Sequence, residues 1–322
     1  MKAIMHDSYG PPDALALGDI DRPEPKGDEV LVRVRAAGVH VGDCFGVRGR
    51  PLPVRLATGL LKPRHGVPGH DVAGVVEAVG GDVTRFRPGD EVFGACTGSC
   101  AEYVRVREKR LAPKPAGLTF EQAGAVPTSA ATALRALRDV GKVRSGQRVL
   151  INGASGGVGT FAVQIAAAYG AEVTGVCGPS NVELVRSLGA HHVIDYTQED
   201  FTADEGRYDL IFDNVENRTV AECRRALTPT GTLILNSGTG EGSLVKPLLL
   251  SPFIRQNLRR FVVVPDHRDL AALTELIDSG KLTPVIDRTY PLAETPAALL
   301  HIETGHARGK VVITMDAAGA DE

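Results

Sequence analysis

The sequence predicts an α/β protein that combines a doubly wound parallel sheet with a β-rich portion. Three observations carry this. The first third alternates short apolar runs at period two between Gly, Pro and Asp turns. From Gln147 onward the pattern becomes strand, glycine turn, helix, strand, helix, strand. The segment NGASGGVG, Asn152 to Gly159, directly follows an apolar strand and opens a helix.

In the first third, EVLVRVRAAGV (29–39), VAGVVEAVG (72–80), DEVFGAC (90–96) and AEYVRVRE (101–108) read as strands. Turns such as RPGDEV point to an antiparallel, barrel-like arrangement. PKPAGL (113–118) reads as a linker. TFEQAGAVPTSAATALRALRDV then has helical periodicity, opening on Thr119 with Gln122 three residues on, a capping box. RVLING is continuously apolar, as expected of a central parallel strand buried on both faces. VGTFAVQIAAAYG and VELVRSLGA supply helices. AEVTGVC, HHVIDY, YDLIFDNV and TLILNSG supply strands, and RRFVVVP (259–265) a last strand at the sheet edge. Repeated βα units of this length wind right-handed into one sheet. After Pro265 the character is mixed again, and the tail closes on GKVVITM.

The 322 residues suffice for one large or two ordinary domains. A formal charge of −3 gives no general attraction to nucleic acid or anionic membrane. The absence of tryptophan and only 5% aromatic residues argue against a base-stacking surface. No run of about 18 apolar residues is present to span a bilayer. The five cysteines (Cys44, Cys96, Cys100, Cys177, Cys223) form no disulfide-like framework. The N-terminus lacks the apolar core of a signal peptide. A soluble protein of a reducing compartment, the cytoplasm, is expected.

The glycine turn is the strongest chemical signal. Glycines allow close backbone approach to a pyrophosphate, and the helix N-terminus offers unpaired N–H donors with the positive dipole end. Ser155, Gly156, Gly157, Val158 and Gly159 are the candidate contacts; the alternative is a tight turn that only packs helix on strand. An NAD site usually places an acid about 20 residues on, at the end of the second strand. Here that end reads GVCGPSN (175–181), with no acid; Glu172 lies at the strand's start and Glu183 in the next helix. Ser180 and Asn181 are therefore expected to accept a 2′-phosphate, making NADP(H) the expected cofactor. Arg186 is either a further cation for it or a solvated helix residue.

PGHDVAGVVEAVG, RFRPGDEVFG, AGAVPTSAATAL, VLINGASGGVG, SLGAHHVIDY and GKVVIT together resemble the medium-chain dehydrogenase/reductase superfamily, in its zinc-independent, quinone-oxidoreductase-like branch. The resemblance covers nearly the whole chain. It implies a GroES-like catalytic domain from residues 1–121 and 266–322, with an inserted Rossmann domain over 122–265. It also implies NADPH-dependent hydride transfer to a quinone or to an activated alkene such as an enone or enoyl group.

Zinc-dependent relatives use a Cys, a His and a third ligand before the Rossmann domain. The matching positions here are His40 in AAGVHVGDC, His70 in PGHDVAG, and a region near Thr128 without Cys, Asp, Glu or His. Two imidazoles without an anionic third ligand make a poor zinc site, and no metal is expected. A zinc alcohol dehydrogenase using His40 and His70, with Asp71 in support, is the rival reading. The plainer reading of His70 and Asp71 is a hydrogen-bonded pair that fixes a loop.

Without zinc, the protein supplies mainly position and exclusion of water, and donors in the cleft can stabilise the negative charge that hydride addition builds on the acceptor oxygen. Relatives often have Asn and Tyr where this chain has His40 and Phe45. This points to His40 as an oxyanion donor or proton source, or else a structural histidine. Asp43 would orient its neighbours, and Thr132 matches a threonine beside the nicotinamide. The resemblance places Tyr196 beside the adenosine phosphate. Asn214, Val215, Ser237 and Gly238 follow strands, where open α/β sheets bind ligands. Lys310 is either a phosphate or substrate partner or a surface lysine. Glu216 stands where relatives often have glycine. The basic, apolar stretch 48–66 is a lid or attracts an anionic substrate, and Leu244–Leu258 is a dimer contact or a cleft wall. An edge strand near 260–265 would pair with a symmetric copy in a homodimer. A third reading is a non-catalytic NADPH-binding protein.

Overall fold

The structure, a computed structural model, describes residues 1–236 and 255–315. It divides into two compact units. The first contains Met1–Ala131, Val264–Ser279 and the chain from Pro284; the second contains Thr132–Val263 and Gly280–Thr283.

The first unit opens with β1 (Lys2–Met5) and β2 (Ala16–Asp19), paired antiparallel. The long strand β3 (Glu29–Val39) runs straight into α1 (Val41–Arg48), and α2 (Val54–Thr58) follows in the basic stretch. Next come β4 (Asp71–Val79), β5 (Glu91–Ala95), β6 (Tyr103–Arg107) and β7 (Leu111–Pro113). Strand β3 pairs antiparallel with both β4 and β6. Its valines fill an apolar core with Val72, Val76, Val92 and Val104. Helix α3 (Phe120–Ala125) opens on the Thr119–Gln122 capping box. A Cβ on Gly38 would collide with the Gly124 carbonyl oxygen, so glycine lets α3 lie against β3. The long helix expected from Thr119 is two: α4 (Pro127–Arg135) starts anew at Pro127. Proline donates no N–H and interrupts the ladder there.

The second unit is the doubly wound sheet. Its strands are β8 (Arg148–Asn152), β9 (Glu172–Cys177), β10 (His192–Asp195), β11 (Tyr208–Asp213), β12 (Leu227–Leu235) and β13 (Asn257–Arg260). They are connected through α5 (Gly159–Ala168), α6 (Val182–Ser187) and α7 (Val220–Ala226). The order is β10-β9-β8-β11-β12-β13, all parallel, which is the dinucleotide-binding order 3-2-1-4-5-6. Val149, Leu150 and Ile151 are fully enclosed, as the uninterrupted apolar run requires. The edge strand begins and ends earlier than expected. It covers Asn257–Arg260, and Phe261–Asp266 is irregular.

The chain returns to the first unit through α8 (His267–Asp278), β14 (Ile286–Pro291), α9 (Thr295–Glu303) and β15 (Lys310–Thr314). The larger sheet of this unit runs β14-β15-β3-β4-β5-β7, with β6 on β3. It is antiparallel except for the β14/β15 pair. The register Val311↔Val39 brings the last strand beside the end of β3. Lys310 therefore lies next to the start of α1. Among the described residues no helix is long and apolar enough to cross a membrane.

Candidate active site

The first unit buries a cluster of charged side chains where β3 ends, α1 begins and β4 starts. His40 caps α1: its Nδ1 accepts the Gly42 N–H at 3.0 Å, and Asp43 Oδ2 accepts the His40 N–H at 2.8 Å. That reciprocal capping places the Asp43 carboxylate under the helix. Its other oxygen lies 2.5 Å from His70 Nδ1. Asp71, the next residue, turns elsewhere. Its Oδ1 accepts from Thr128 N at 2.9 Å and from Thr128 Oγ1 at 2.5 Å, and its Oδ2 lies 3.7 Å from Lys310 Nζ. Lys310 also donates to Val39 O at 3.2 Å and Ser129 Oγ at 3.0 Å. The expected His70–Asp71 pair is thus corrected to His70–Asp43. His70 precedes β4 and Asp71 is its first residue, and the two neighbours serve different partners.

Asp43, Asp71 and Lys310 are almost fully enclosed. Burial would raise the Asp43 carboxyl, but the charges of His40 and His70 and their hydrogen bonds hold it well below the carboxylate range. Burial pushes Asp71 up and Lys310 down, each against the attraction of the other. Burial lowers His40 as well. For His70, burial is outweighed by the charge and hydrogen bond of Asp43, and the imidazole is raised above its ordinary value. Lys310 is not a surface lysine: it is 1% exposed and its ammonium belongs to this network.

Donor atoms of His40, Asp43 and His70 lie within 4.8 Å of one another. Their chemistry does not fit a catalytic zinc. Both Asp43 oxygens are committed, one to His70 and one to the His40 N–H, and His40 Nδ1 holds the helix cap. Thr128 spends its hydroxyl on Asp71. The Cys44, Cys96 and Cys100 thiols are buried and pushed up by burial, far from the thiolate that zinc takes. A cavity of about 210 Å³ adjoins the cluster, lined by Val47, Thr58, His65, Val67, His70 and Thr97 among others.

In the second unit the other candidates gather at the carboxyl ends of the strands. Gly153 adopts a left-handed φ of 75°, and a Cβ on Gly159 would run into its carbonyl oxygen. Helix α5 therefore starts directly on the strand's end, and its first N–H groups have no intrahelical acceptor. At Gly156 a Cβ would meet only the Gly153 carbonyl oxygen at 3.4 Å, so that glycine keeps the turn open. After β9, Asn181 Nδ2 donates to Ser155 Oγ at 3.2 Å, whereas Asn181 Oδ1 is buried without a hydrogen-bond partner among the described residues. Ser180 is exposed beside it. Tyr196 is 51% exposed, and its hydroxyl would lie 3.2 Å from a Cβ on Gly178. The open glycine turn and the lack of a carboxylate at this strand end fit a dinucleotide bearing a 2′-phosphate.

Sequence reasoning missed an amide ladder across the same edge. Asn152 Nδ2 donates to Asp213 Oδ1 at 2.8 Å and Asn217 Oδ1 at 3.0 Å. Asn214 Nδ2 donates to Asn152 O at 3.1 Å, and Asn236 Nδ2 to Asn214 Oδ1 at 2.9 Å. Polar residues ending otherwise apolar strands were its only signal. Val215 is 42% exposed, and Thr132 is buried on α4. Ser237, Gly238 and most of Leu244–Leu258 lie outside the described residues. Glu216 has φ 59°, a conformation that suits the glycine of relatives, and its carboxylate pairs with Arg260 at 2.6 Å. In the basic stretch, Leu52, Leu56, Leu60 and Leu61 are exposed.

A parallel sheet of this order with a glycine turn, together with an antiparallel unit holding a histidine–carboxylate cluster, defines the class of two-part dehydrogenases and reductases. Residues 26–116 match the alcohol dehydrogenase GroES-like domain family, and residues 188–313 the zinc-binding dehydrogenase family. NAD(P)H oxidoreductase RTN4IP1, mitochondrial, of Mus musculus is 39% identical over 326 residues, covering 89% of this chain and 82% of its own. NADPH-dependent alkenal/one oxidoreductase, chloroplastic, of Arabidopsis thaliana is 35% identical over 338 residues, covering 97% and 79%. The quinone oxidoreductase structure from Coxiella burnetii superposes with a TM-score of 0.86 at 30% identity, covering 98% of this chain and 99% of that one. The chain belongs to the medium-chain dehydrogenase/reductase superfamily, in its quinone-oxidoreductase-like branch, and is an enzyme of reductase type.

Proposed function

We propose that the protein is an NADPH-dependent, zinc-free reductase of quinones or α,β-unsaturated carbonyl compounds. The observation that carries this is the carboxyl edge of the parallel sheet, where a glycine-opened helix start adjoins a β9 end with polar, uncharged Ser180 and Asn181. The names of the mouse, plant and bacterial relatives support the same chemistry.

In this reading the N–H groups at Gly157 to Gly159 hold the pyrophosphate, and Ser155, Gly156 and Val158 shape its turn. Ser180 and Asn181 hold the 2′-phosphate, and the exposed Tyr196 ring covers the adenosine side. Asn214, Val215, Ser237 and Gly238 complete the strand-end contacts, while Thr132 stands by the nicotinamide. The bound dinucleotide supplies a hydride. The protein's part is position and exclusion of water, with reacting atoms held about 3–3.5 Å apart. Asp43 and His40 belong to the acceptor side.

A homodimer through β13 is part of the proposal. This strand ends the sheet, and the adjoining Val262 and Val264 are 91% and 54% exposed. All five cysteines are buried and free, which suits a reducing compartment such as the cytoplasm.

NADPH oxidation is to be measured against a panel of quinones, enones and alkenals, with and without a chelator. Turnover with at least one class, unchanged by chelation, is expected. Tight NADPH binding with no acceptor turned over would leave a cofactor-binding protein. Stoichiometric zinc whose removal abolishes alcohol oxidation would establish the rival dehydrogenase.

A further inference from the structure

Two imidazoles stand side by side in the cluster, with ring centroids 5.6 Å apart, yet they are not equivalent. His40 spends Nδ1 on the cap of α1, which puts its proton on Nε2, and that atom is buried without a hydrogen-bond partner among the described residues. His70 spends Nδ1 on Asp43. Its side chain is 41% exposed and forms part of the cavity wall, and no hydrogen bond engages its Nε2 among the described residues. The other cavity histidines lack such an anchor: His6 Nε2 is taken by Val47 O, and His65 has no carboxylate partner among the described residues. Apart from the Asp43 carboxylate, the other lining side chains are apolar or hydroxylic.

We propose that His70 is the acid that protonates the acceptor's oxygen after its carbon has received hydride, and that Asp43 is the residue that positions it. The inference deepens the reductase reading and rests on it. Hydride addition to the β-carbon moves the alkene pair toward the carbonyl and leaves an enolate oxygen. The Nε2–H bond of His70 breaks and an O–H bond forms, with the N–H electron pair remaining on nitrogen. The product is an enol and a neutral imidazole still bound to Asp43. The enol tautomerises in water, and the imidazole regains a proton from solvent entering the cavity. A quinone follows the same course, its hydroquinone anion taking the proton.

The charged groups around His70 suit this role. Asp43 of α1 and Asp71 of β4 favour the imidazolium, Arg110 opposes it, and burial opposes it more strongly. Burial lowers the His40 imidazole, and Lys310 offsets Asp71 rather than facing His70. Asp43 therefore decides the balance. An acid matched in this way contributes about 10²–10⁴-fold in rate.

The test uses the whole enzyme and the variants H70Q, D43N and H40N. For H70Q we expect kcat with an enone to fall by about 100-fold or more, with NADPH affinity unchanged. The alkaline limb of the kcat profile should vanish in H70Q, move to lower pH in D43N and persist in H40N. Two readouts do not depend on turnover. The His70 imidazole, followed by NMR, should titrate above its ordinary value and drop in D43N. 4-Nitrophenol, a stand-in for the enolate, should bind wild type as its coloured phenolate and bind H70Q about tenfold more weakly, as the neutral phenol. An H70Q enzyme within threefold of wild type, with its alkaline limb intact, would overturn the proposal and leave the reductase reading standing. If wild type reduced no acceptor, the reductase reading would fail. The nitrophenol experiment would then decide, with neutral phenol bound to wild type counting against His70.

Discussion

The cluster in the first unit and the strand-end edge of the second are built from opposite materials. The cluster is made of side chains. Asp43, Asp71 and Lys310 are buried ions, each stable only because another group answers it. The strand-end edge is made mainly of backbone and amides gathered at one buried carboxylate, Asp213: a glycine turn that opens a helix, and Asn152, Asn214 and Asn236 in series. A buried ion is intolerant of losing its partner, since desolvation is no longer offset. A backbone cradle is intolerant of added atoms but nearly indifferent to charge. One region should therefore report its mutations as stability and the other as ligand affinity.

The sharpest break of this comparison is K310M. It leaves Asp71 buried without its lysine partner, and a loss of about 3–5 kcal/mol is expected in urea unfolding. D71N/K310M keeps an acceptor for Thr128 and should recover most of that loss. If the double variant were no more stable than the single, the ion pair would not be the cause.

G156A is the counterpart at the strand-end edge. The new methyl has room within the fold but intrudes on the turn, so NADPH affinity should fall about tenfold, or about 1.4 kcal/mol, while the melting temperature stays put. A shift in melting temperature with unchanged affinity would reverse the assignment.

Glu216 sharpens the contrast, because it brings a side-chain ion pair to the backbone edge. Replacing it removes the carboxylate facing Arg260. Glycine also relieves the left-handed backbone, so E216G should be more stable than E216A by about 1 kcal/mol. Equal stabilities would mean that the φ of 59° carries no strain.

The smallest effect is pH-dependent. The raised His70 imidazole stabilises the fold fully below its unfolded value, and this contribution is lost as pH rises through the folded value. The depressed Asp43 carboxyl contributes above its unfolded value and loses that contribution only in strong acid. The stability gap between wild type and D43N should accordingly be wider near pH 5.5 than near pH 8.5. A gap constant across that range would show that the two groups are not coupled.

The sequence by itself determined the parallel sheet, since the apolar run Val149–Ile151, the glycine turn and the alternating βα units are local patterns with few alternatives. The Thr119–Gln122 cap was legible for the same reason, because its donors and acceptors lie within one turn. The strand-end edge could be read because each strand announces its own end. Only the tertiary structure decided who partners whom in the charged cluster. Asp43 meets His70 across 27 residues, and Lys310 meets Ser129 across 181, separations at which no periodicity links one residue to another. Asp71 opens β4 and is held by Thr128 and Lys310 rather than by His70, and the register of β15 on β3 brought in the buried lysine. Long-range electrostatics is settled by packing, and packing is written in the whole chain rather than in any stretch of it.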